Sequence, residues 1–308
     1  MLCKVVFLLK EYEGIDWQTL LEDLETDLRR HNIDYAFKNI ITNDPSNVKE
    51  DIRMEYVDPE KVLFVSDLSV KCRELSDKGY YVLPYRHAYN REEIFESNRY
   101  FYIAEQLEEM DYEALDMAYR RLTGMPWTIY TTKRCIIRET TMDDVDAFYQ
   151  IYKEAVITEY MEDLYADRNE EIAYIQDYIK KVYHFYGYGI WTIEEKKSGL
   201  VIGRAGISWR EGFDLPELGF VIGVPWQRKG YAYEVCTAIL TYAKEELGME
   251  RVQALVMKGN EKSAGLCEKL GFVCEGEVCL EGIMYQRYVF LFTTKPTYDK
   301  VASVHQLI

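Results

Sequence analysis

The sequence has few of the residue patterns that assign a chain to a disulfide-rich or metal-binding class. Its 308 residues contain seven cysteines, an odd number, with no Cys-x-x-Cys pair, and only four scattered histidines. Disulfide frameworks and structural zinc sites need paired or closely spaced ligands. We therefore expect reduced thiols, as in a cytoplasmic protein, and no bound metal.

Long apolar runs and basic clusters are also missing. No run approaches the roughly 20 residues that cross a bilayer, and residues 1–9 lack the flank of a cleaved signal. The 37 basic and 53 acidic residues give a net charge of −16, with no basic stripe. These features predict no membrane span and no nucleic-acid binding. An acidic surface is compatible with attraction of a cationic amine, and equally with simple solubility.

What is present is a folded, aromatic-rich chain long enough for two domains. Hydrophobic residues make up 48% of it, and 27 residues are tyrosine. Residues 1–131 alternate strand and helix patterns, which predicts a small Rossmann-like parallel α/β domain. A break at Gly124 and Pro126 places the boundary before a second domain, residues 132–308. The predicted strands of the first domain are residues 4–9, 35–41, 62–66, 81–85 and 100–104.

Helical periodicity is clear in both domains. In residues 17–30, Leu20, Leu21, Leu24 and Leu28 are expected to share one buried face, and a later helix over 112–122 should stop at Gly124. The second domain is predicted in the following order: strand 134–138, helices 141–156 and 170–185, hairpin 189–194 and 200–209, strand 217–224, helix from 232, strand 251–257, helix from 260, and hairpin 273–280 and 284–292. Residues 293–308 have no clear pattern.

The most informative segment is the strand–turn–helix that begins at Glu217. Pro225 ends the strand, Gly230 permits a close backbone approach, and a helix follows at once. Free N–H groups in such a turn, at a helix N-terminus, suit a pyrophosphate. An ordinary strand–turn–helix without ligand remains open on this pattern alone.

Two motifs in this region resemble those of one enzyme family. The string Gln227-Arg228-Lys229-Gly230-Tyr231-Ala232 is similar to the acetyl-CoA signature of the GNAT acetyltransferases. About thirty residues later, a segment from Asn260 to Gly271-Phe272 resembles their second signature. The resemblance covers residues 134–292, and is strongest to the branch that includes the ribosomal-protein N-terminal acetyltransferases. It implies a GNAT fold with a mixed sheet, and acetyl-CoA as cosubstrate.

The resemblance also implies binding roles for particular residues. Gln227 opens the signature, and the backbone N–H groups of the turn would hold the pyrophosphate. A bulged strand would pair with the pantetheine arm and polarise the acetyl carbonyl, while Asn260 and Ser263 would contact pantetheine or pyrophosphate. Asn260 is equally suited to be a helix N-cap. The turn residues are Arg228, Lys229, Gly230, Tyr231 and Ala232, and the strand residues are Phe220, Val221 and Ile222.

Two residues are candidates for proton transfer. Glu217 stands where several relatives carry the carboxylate that removes the amine proton, and the alternative is a solvated strand end. Cys267 stands where many relatives have a tyrosine that reprotonates coenzyme A. Its thiol is the candidate acid, although a cysteine facing a core is commonly a small buried hydrophobe.

The acceptor is expected to be a primary amine on a protein, a peptide or a small molecule. The family builds that pocket from its first two helices, their connection and the last hairpin. Here the region is rich in aromatic residues that also suit core packing. These are Tyr160, Tyr165, Tyr174, Tyr178, Tyr183, Tyr186, Tyr188 and Trp191. Direct transfer in a ternary complex is the favoured function, and an acyl-CoA sensor without turnover is the alternative.

The first domain faintly resembles a haloacid-dehalogenase-like sheet but lacks the nucleophilic aspartate after its first strand. Asp67 and His87 lie at predicted strand ends, where open α/β sheets bind ligands, or where turns place ordinary polar residues. We interpret this domain as non-catalytic, serving recognition, regulation or formation of a homodimer.

Overall fold

The computed structural model describes residues 1–40, 58–97, 99–100 and 102–292. Contacts divide the chain into one compact unit, Met1–Met125, and a second unit that begins at Pro126. This division lies six residues before the boundary at 131 used above, because a strand at Thr128–Thr131 pairs with Cys135–Arg138. Only Ile129 is buried in that strand, so its sequence has no hydrophobic alternation to reveal it.

The first unit contains a small parallel sheet, as predicted. Within the described residues its four strands run in the order β2-β1-β3-β4, and each neighbouring pair is parallel. The predicted strand over 100–104 is wrong, since its described residues form one isolated bridge, between Ala104 and Tyr85. Position 41 lies outside the described residues. The strands are β1 (Lys4–Lys10), β2 (Asp34–Ile40), β3 (Val62–Ser66) and β4 (Tyr81–Pro84).

The helices of the first unit differ from prediction at one point. The expected helix over 17–30 is interrupted at Leu21, and Leu20 is exposed while Leu24 and Leu28 are buried. Gly124 ends the last helix in the left-handed conformation, with φ of 74°, as its sequence predicts. The helices are α1 (Trp17–Leu20), α2 (Glu22–Arg30), α3 (Ser69–Asp77) and α4 (Tyr112–Thr123).

The second unit is built on a mixed sheet. In the described part of the chain its strands follow the order β11-β12-β10-β9-β8-β7-β6-β5, and only β9 and β10 are parallel neighbours. This confirms the predicted fold class. The strands are β5 (Thr128–Thr131), β6 (Cys135–Arg138), β7 (Ile190–Glu195), β8 (Leu200–Ser208), β9 (Glu217–Ile222), β10 (Arg251–Met257), β11 (Val273–Leu280) and β12 (Ile283–Leu291).

The first two predicted helices of this unit are each broken into shorter pieces. The helix expected over 141–156 starts with a 3-10 turn, where Thr141 and Asp144 form a capping box, and it is interrupted after Tyr152. The helix expected over 170–185 changes to a π-helical turn at Ile179–Tyr183. The helices are α5 (Val145–Tyr152), α6 (Ala155–Thr158), α7 (Arg168–Tyr178), α8 (His184–Tyr186), α9 (Tyr231–Glu245) and α10 (Glu261–Leu270).

Two tyrosines explain the π-helical turn. The hydroxyl of Tyr178 accepts a hydrogen bond from the N–H of Ile190 at 2.7 Å, and the hydroxyl of Tyr183 donates to the carbonyl of Ile190 at 2.5 Å. Because the wider turn inserts an extra residue, both side chains reach the first residue of β7. A regular helix would carry one of them away from the sheet.

The strand β9 separates the two apolar layers of the second unit. Leu218 and Ile222 pack into the core that includes Val235 and Ile239 of α9. Val221 packs on the other face with Ile151 of α5 and its neighbours. Successive side chains of a strand alternate in this way, so Glu217 lies on the α5 face.

Candidate functional site

The sheet opens between β9 and β10. Among the described residues these strands pair only at Glu217 and Gln253, with a backbone hydrogen bond of 2.8 Å from Gln253 to Pro216. Beyond this point β9 continues to pair with β8, while β10 pairs with β12. The edge of β9 from Leu218 onward therefore faces a gap that widens away from Glu217.

Backbone donors point into this gap. The N–H of Gly223 donates to Ile202 of β8 at 2.8 Å, and successive residues of a strand direct their polar groups to alternate sides. The N–H groups of Phe220 and Ile222 consequently face the gap, while that of Val221 faces β8. The β8–β9 ladder runs through six consecutive pairs without a register shift, so the expected bulge in β9 is wrong.

The predicted signature turn connects β9 to α9 through a left-handed backbone. Arg228 has φ of 61° and Gly230 has φ of 83°. No acceptor is found, within the part of the chain that the structure describes, for the N–H groups of Arg228, Lys229, Gly230, Tyr231 and Ala232. Consecutive free N–H groups at a helix N-terminus form an anion-binding concavity. Gln227 anchors the turn by donating from Nε2 to the carbonyl of Ile222 at 2.9 Å.

A charged pair that the sequence analysis did not single out holds this turn in place. Arg134 Nε donates to Glu234 Oε2 of α9 at 2.6 Å, and Arg134 Nη1 donates to the carbonyl of Lys229 at 2.9 Å. The guanidinium also lies 4.0 Å from the centroid of the Tyr231 ring. The hydrogen bond to Glu234 raises the pKa of Arg134. Since Arg134 and Glu234 are 100 positions apart, no local pattern could reveal the pair.

The second signature forms α10, and its three candidate residues have different environments. Asn260 is the N-cap, and its Oδ1 accepts from the N–H of Ser263 at 3.2 Å. Cys267 is fully buried in the apolar core beside α9, and burial raises the pKa of its thiol to about 12. The position of Cys267 matches that of a small buried hydrophobe, the alternative to an acid.

Glu217 lies at the closed end of the gap and is already paired. It is only 8% exposed, and its Oε2 accepts from Arg210 Nε at 2.6 Å, with Arg210 Nη2 3.4 Å from Oε1. The hydrogen bond to Glu217 raises the pKa of Arg210. Arg210 follows β8 on a turn, where nothing in the sequence distinguishes it from any other surface arginine.

The aromatic residues expected at the acceptor pocket have different environments. Tyr183 and Trp191 are fully buried and belong to the core, as the packing alternative predicts. Tyr165, Tyr174 and Tyr186 are exposed. Tyr160, Tyr178 and Tyr188 are partly exposed. The exposed and partly exposed tyrosines are therefore the ones available to an acceptor.

In the first unit, Asp67 and His87 form a buried pair rather than an open site. His87 Nε2 lies 3.1 Å from Asp67 Oδ2, and Asp67 Oδ1 accepts from the N–H of Lys10 at 2.9 Å. Asn90 bonds to the carbonyl of Asp67 as well. These bonds tie the chain after β4 to the ends of β1 and β3. In the described ranges no group of three or more His, Cys, Asp or Glu residues could hold a metal, and no helix is long and apolar enough to cross a membrane.

A family model and several known proteins are similar to part of this chain. The family model described as acetyltransferase (GNAT) domain matches residues 134–273. The chain is 30% identical over 164 residues to the uncharacterized N-acetyltransferase YoaA of Bacillus subtilis, covering 51% of this chain and 89% of that one. It is 35% identical over 104 residues to the [ribosomal protein uS5]-alanine N-acetyltransferase of Escherichia coli, covering 33% of this chain and about half, 52%, of that enzyme. A GNAT-family acetyltransferase structure from Bacillus anthracis overlaps 52% of this chain and 96% of its own, with 20% identity and a TM-score of 0.45.

The chain therefore belongs to the GNAT acetyltransferase family. It is an N-acetyltransferase with acetyl-CoA as its cosubstrate.

Proposed function

We propose that the second unit transfers acetyl from acetyl-CoA directly to the N-terminal amine of a polypeptide, within a ternary complex. The observation that carries the proposal is that β9 and β10 pair at one position, Glu217 with Gln253, within the described residues. It leaves a gap with backbone donors, bounded by the signature turn at one end and by Glu217 at the other. One enzyme similar to this chain is named for acetylating an alanine of a ribosomal protein, which supports a polypeptide acceptor.

In this proposal the turn binds the pyrophosphate. Its free N–H groups, from Arg228 to Ala232, point at the anion, and the dipole of α9 adds about 0.3–1 kcal/mol per charge. The Arg134–Glu234 pair keeps the turn in shape, and Asn260 and Ser263 contact the pantetheine end. Because only alternate N–H groups face the gap, Phe220 and Ile222 supply donors to the arm and to the acetyl carbonyl, whereas Val221 contributes packing. A preorganised donor to the developing oxyanion supplies roughly 3–4 kcal/mol.

The chemical step needs one proton acceptor and one proton donor. The amine nitrogen attacks the thioester carbonyl carbon, the C–S bond breaks, and the acetyl group stays on nitrogen. Glu217 receives the amine proton, directly or through water, and it must first be released by Arg210. The thiolate of coenzyme A takes a proton from a tyrosine or from water, since Cys267 is enclosed by the core.

Replacement of Glu217 by Gln tests this assignment against the sensor alternative. We expect turnover to fall by about 100-fold, as for loss of a general base, with acetyl-CoA affinity unchanged. Glu211→Gln, an exposed carboxylate on the same turn, is the matched control and should retain activity. A wild-type protein that binds acetyl-CoA but transfers nothing to any peptide or amine would support the sensor and contradict the proposal.

A further inference from the structure

The contact between Arg210 and Glu217 places a cation at the carboxylate that the proposed function assigns to the acceptor amine. The guanidinium covers both carboxylate oxygens, yet the Arg210 side chain is 45% exposed and belongs to the chain between β8 and β9. Glu217 is buried, so it has few other directions from which to accept a proton. Because Arg210 contacts both carboxylate oxygens, an ammonium group that binds Glu217 directly must displace this guanidinium.

Exchanging one cation for another at Glu217 yields little net binding energy. The arginine also has an advantage, because it belongs to the same chain and offers two donors in a planar fork. An acceptor that displaces it must therefore bind elsewhere at the same time. That second contact has to lie near Glu217 and outside the gap for acetyl-CoA.

Four aromatic side chains provide such a surface, here called the aromatic strip: Phe185, Tyr186, Tyr188 and Trp209. The rings of Phe185 and Tyr186 are 4.9 Å apart, those of Tyr186 and Tyr188 are 6.0 Å apart, and Trp209 Nε1 donates to the Tyr188 hydroxyl. Phe185 is 58%, Tyr186 42% and Trp209 50% exposed. Large aromatic groups exposed in contact with each other are typical of a recognition surface.

The aromatic strip and Glu217 lie at the same end of adjacent strands. Ser208, the last residue of β8, is in register with Glu217, and Trp209 and Arg210 follow it directly. Tyr188 lies two residues before β7 begins. The turn for the pyrophosphate is at the opposite end of β9, so this end is left for the acceptor.

We propose that Arg210 keeps the acceptor position closed, and that the aromatic strip selects acceptors whose terminal amine is followed by an aromatic or large apolar side chain. The inference rests on the proposed function, because it specifies the acceptor of that reaction. Stacking of that side chain on the aromatic strip offsets the free-energy cost of displacing Arg210. An amine without such a side chain competes poorly with the guanidinium.

The test compares two peptides that differ only in the residue after the terminal amine-bearing residue, Phe in one and Ala in the other. Wild type should prefer the Phe peptide by about 3- to 10-fold in kcat/KM, the size of one aromatic contact. Trp209→Ala should remove that preference by raising KM for the Phe peptide, and Trp209→Phe should restore most of it. Tyr130→Ala, which removes an exposed aromatic of β5, is the control and should leave the preference intact.

Arg210→Met should lower KM for the Ala peptide. It should therefore reduce the ratio of kcat/KM between the Phe peptide and the Ala peptide. Arg210→Gln repeats the test with a hydrogen-bonding partner left for Glu217, in case the methionine variant unfolds. Arg73→Met, which breaks an exposed Arg73–Glu96 pair in the first unit, should change neither KM.

Two failures can be told apart. If both peptides are acetylated equally well by wild type, or if Arg210→Met slows both by the same factor in kcat, the proposal is overturned while the acetyl transfer stands. If neither peptide nor any amine is acetylated although acetyl-CoA binds, the proposed function itself fails.

Discussion

At the scale of the residue, Gly230 has the most demanding role in the signature turn. Its φ of 83° is a conformation that side-chain-bearing residues adopt at a cost of about 1–2 kcal/mol, and a Cβ there would lie 3.5 Å from Arg134. We expect Gly230→Glu to abolish acetyl-CoA binding, because it adds this strain and a negative charge at the pyrophosphate position. Isothermal calorimetry measures the loss.

The control for backbone strain is Gly199→Glu. Gly199 has φ of 68° and open space around its Cβ position, in the turn between β7 and β8. This variant should lose similar stability and keep its affinity. Equal affinity of the two variants would mean that the turn is not the pyrophosphate site.

Cys267 offers a second residue-scale prediction. Its thiol is buried, with a pKa raised to about 12, so Cys267→Ala should leave kcat and its pH profile unchanged. The cavity left in the core should lower the free energy of unfolding by about 0.5–3 kcal/mol. Steady-state kinetics and urea unfolding measure the two effects. A tenfold loss of kcat without a loss of stability would instead assign the acid role to Cys267.

The residues that the sequence predicted are those whose role depends on a local pattern. The adjacent sequence predicts the roles of Gly230 and Asn260, because a left-handed turn and a helix N-cap each favour few residue types. Arg134 and Arg210 could not be found this way. Neither arginine has a distinctive sequence context, and it is the fold that places Glu234 beside Arg134 and Glu217 beside Arg210.

At the scale of the element, β7 and β8 approach too closely for any side chain at position 206. A Cβ on Gly206 would lie 1.9 Å from the carbonyl oxygen of Gly189. We expect Gly206→Ala to lower the free energy of unfolding by about 4 kcal/mol or more, an exceptional effect for one methyl group. Gly265→Ala in α10, where the Cβ has open space, is the matched control and should stabilise by about 0.5–1 kcal/mol. Similar changes in the free energy of unfolding for Gly206→Ala and Gly265→Ala would show that β7 and β8 do not pair as described.

The Arg134–Glu234 pair links β6 to the start of α9 and should respond to pH. The pKa of Glu234 is lowered from its ordinary value of 4.5, because hydrogen bonds from Thr132 and Arg134 outweigh the opposing effect of burial. Because the pKa of Glu234 is lower in the folded state than in the unfolded state, its carboxylate stabilises the fold at pH values above 4.5. This stabilisation is lost as the pH falls through the pKa of the folded state. Urea unfolding at neutral pH and at pH 4 should show this loss in wild type, and a smaller one in Glu234→Gln. An identical loss in both would contradict the role of the pair.

Regular elements with strong periodicity were predicted closely, and irregular ones were not. The bounds of β10 agree with the pattern, while the π-helical turn before α8 depends on two tyrosine contacts with β7. The strand β5 was missed because it is short and mostly exposed. The bulge in β9 was predicted from the family resemblance and not from the residues of this strand, which explains why that prediction is wrong.

At the scale of the whole molecule, the family match covers only the second unit, so the role of Met1–Met125 is a separate question. We propose that this unit is non-catalytic, because its buried Asp67–His87 pair is satisfied by bonds within the unit. Asp67→Asn should therefore leave acetyl transfer unchanged while lowering the stability of the first unit. Kinetics and limited proteolysis measure the two effects, and a large loss of kcat with an intact fold would assign the pair to catalysis.

The measurement that tests the central claim most directly follows thiol release and peptide mass together. The intact protein is mixed with acetyl-CoA, with and without a peptide that has a free N-terminus. We predict free thiol only when both substrates are present, one acetyl group on the peptide amine for each thiol, and no change in the mass of the protein. Bound acetyl-CoA without thiol release, or an acetylated protein in the absence of peptide, would contradict direct transfer in a ternary complex.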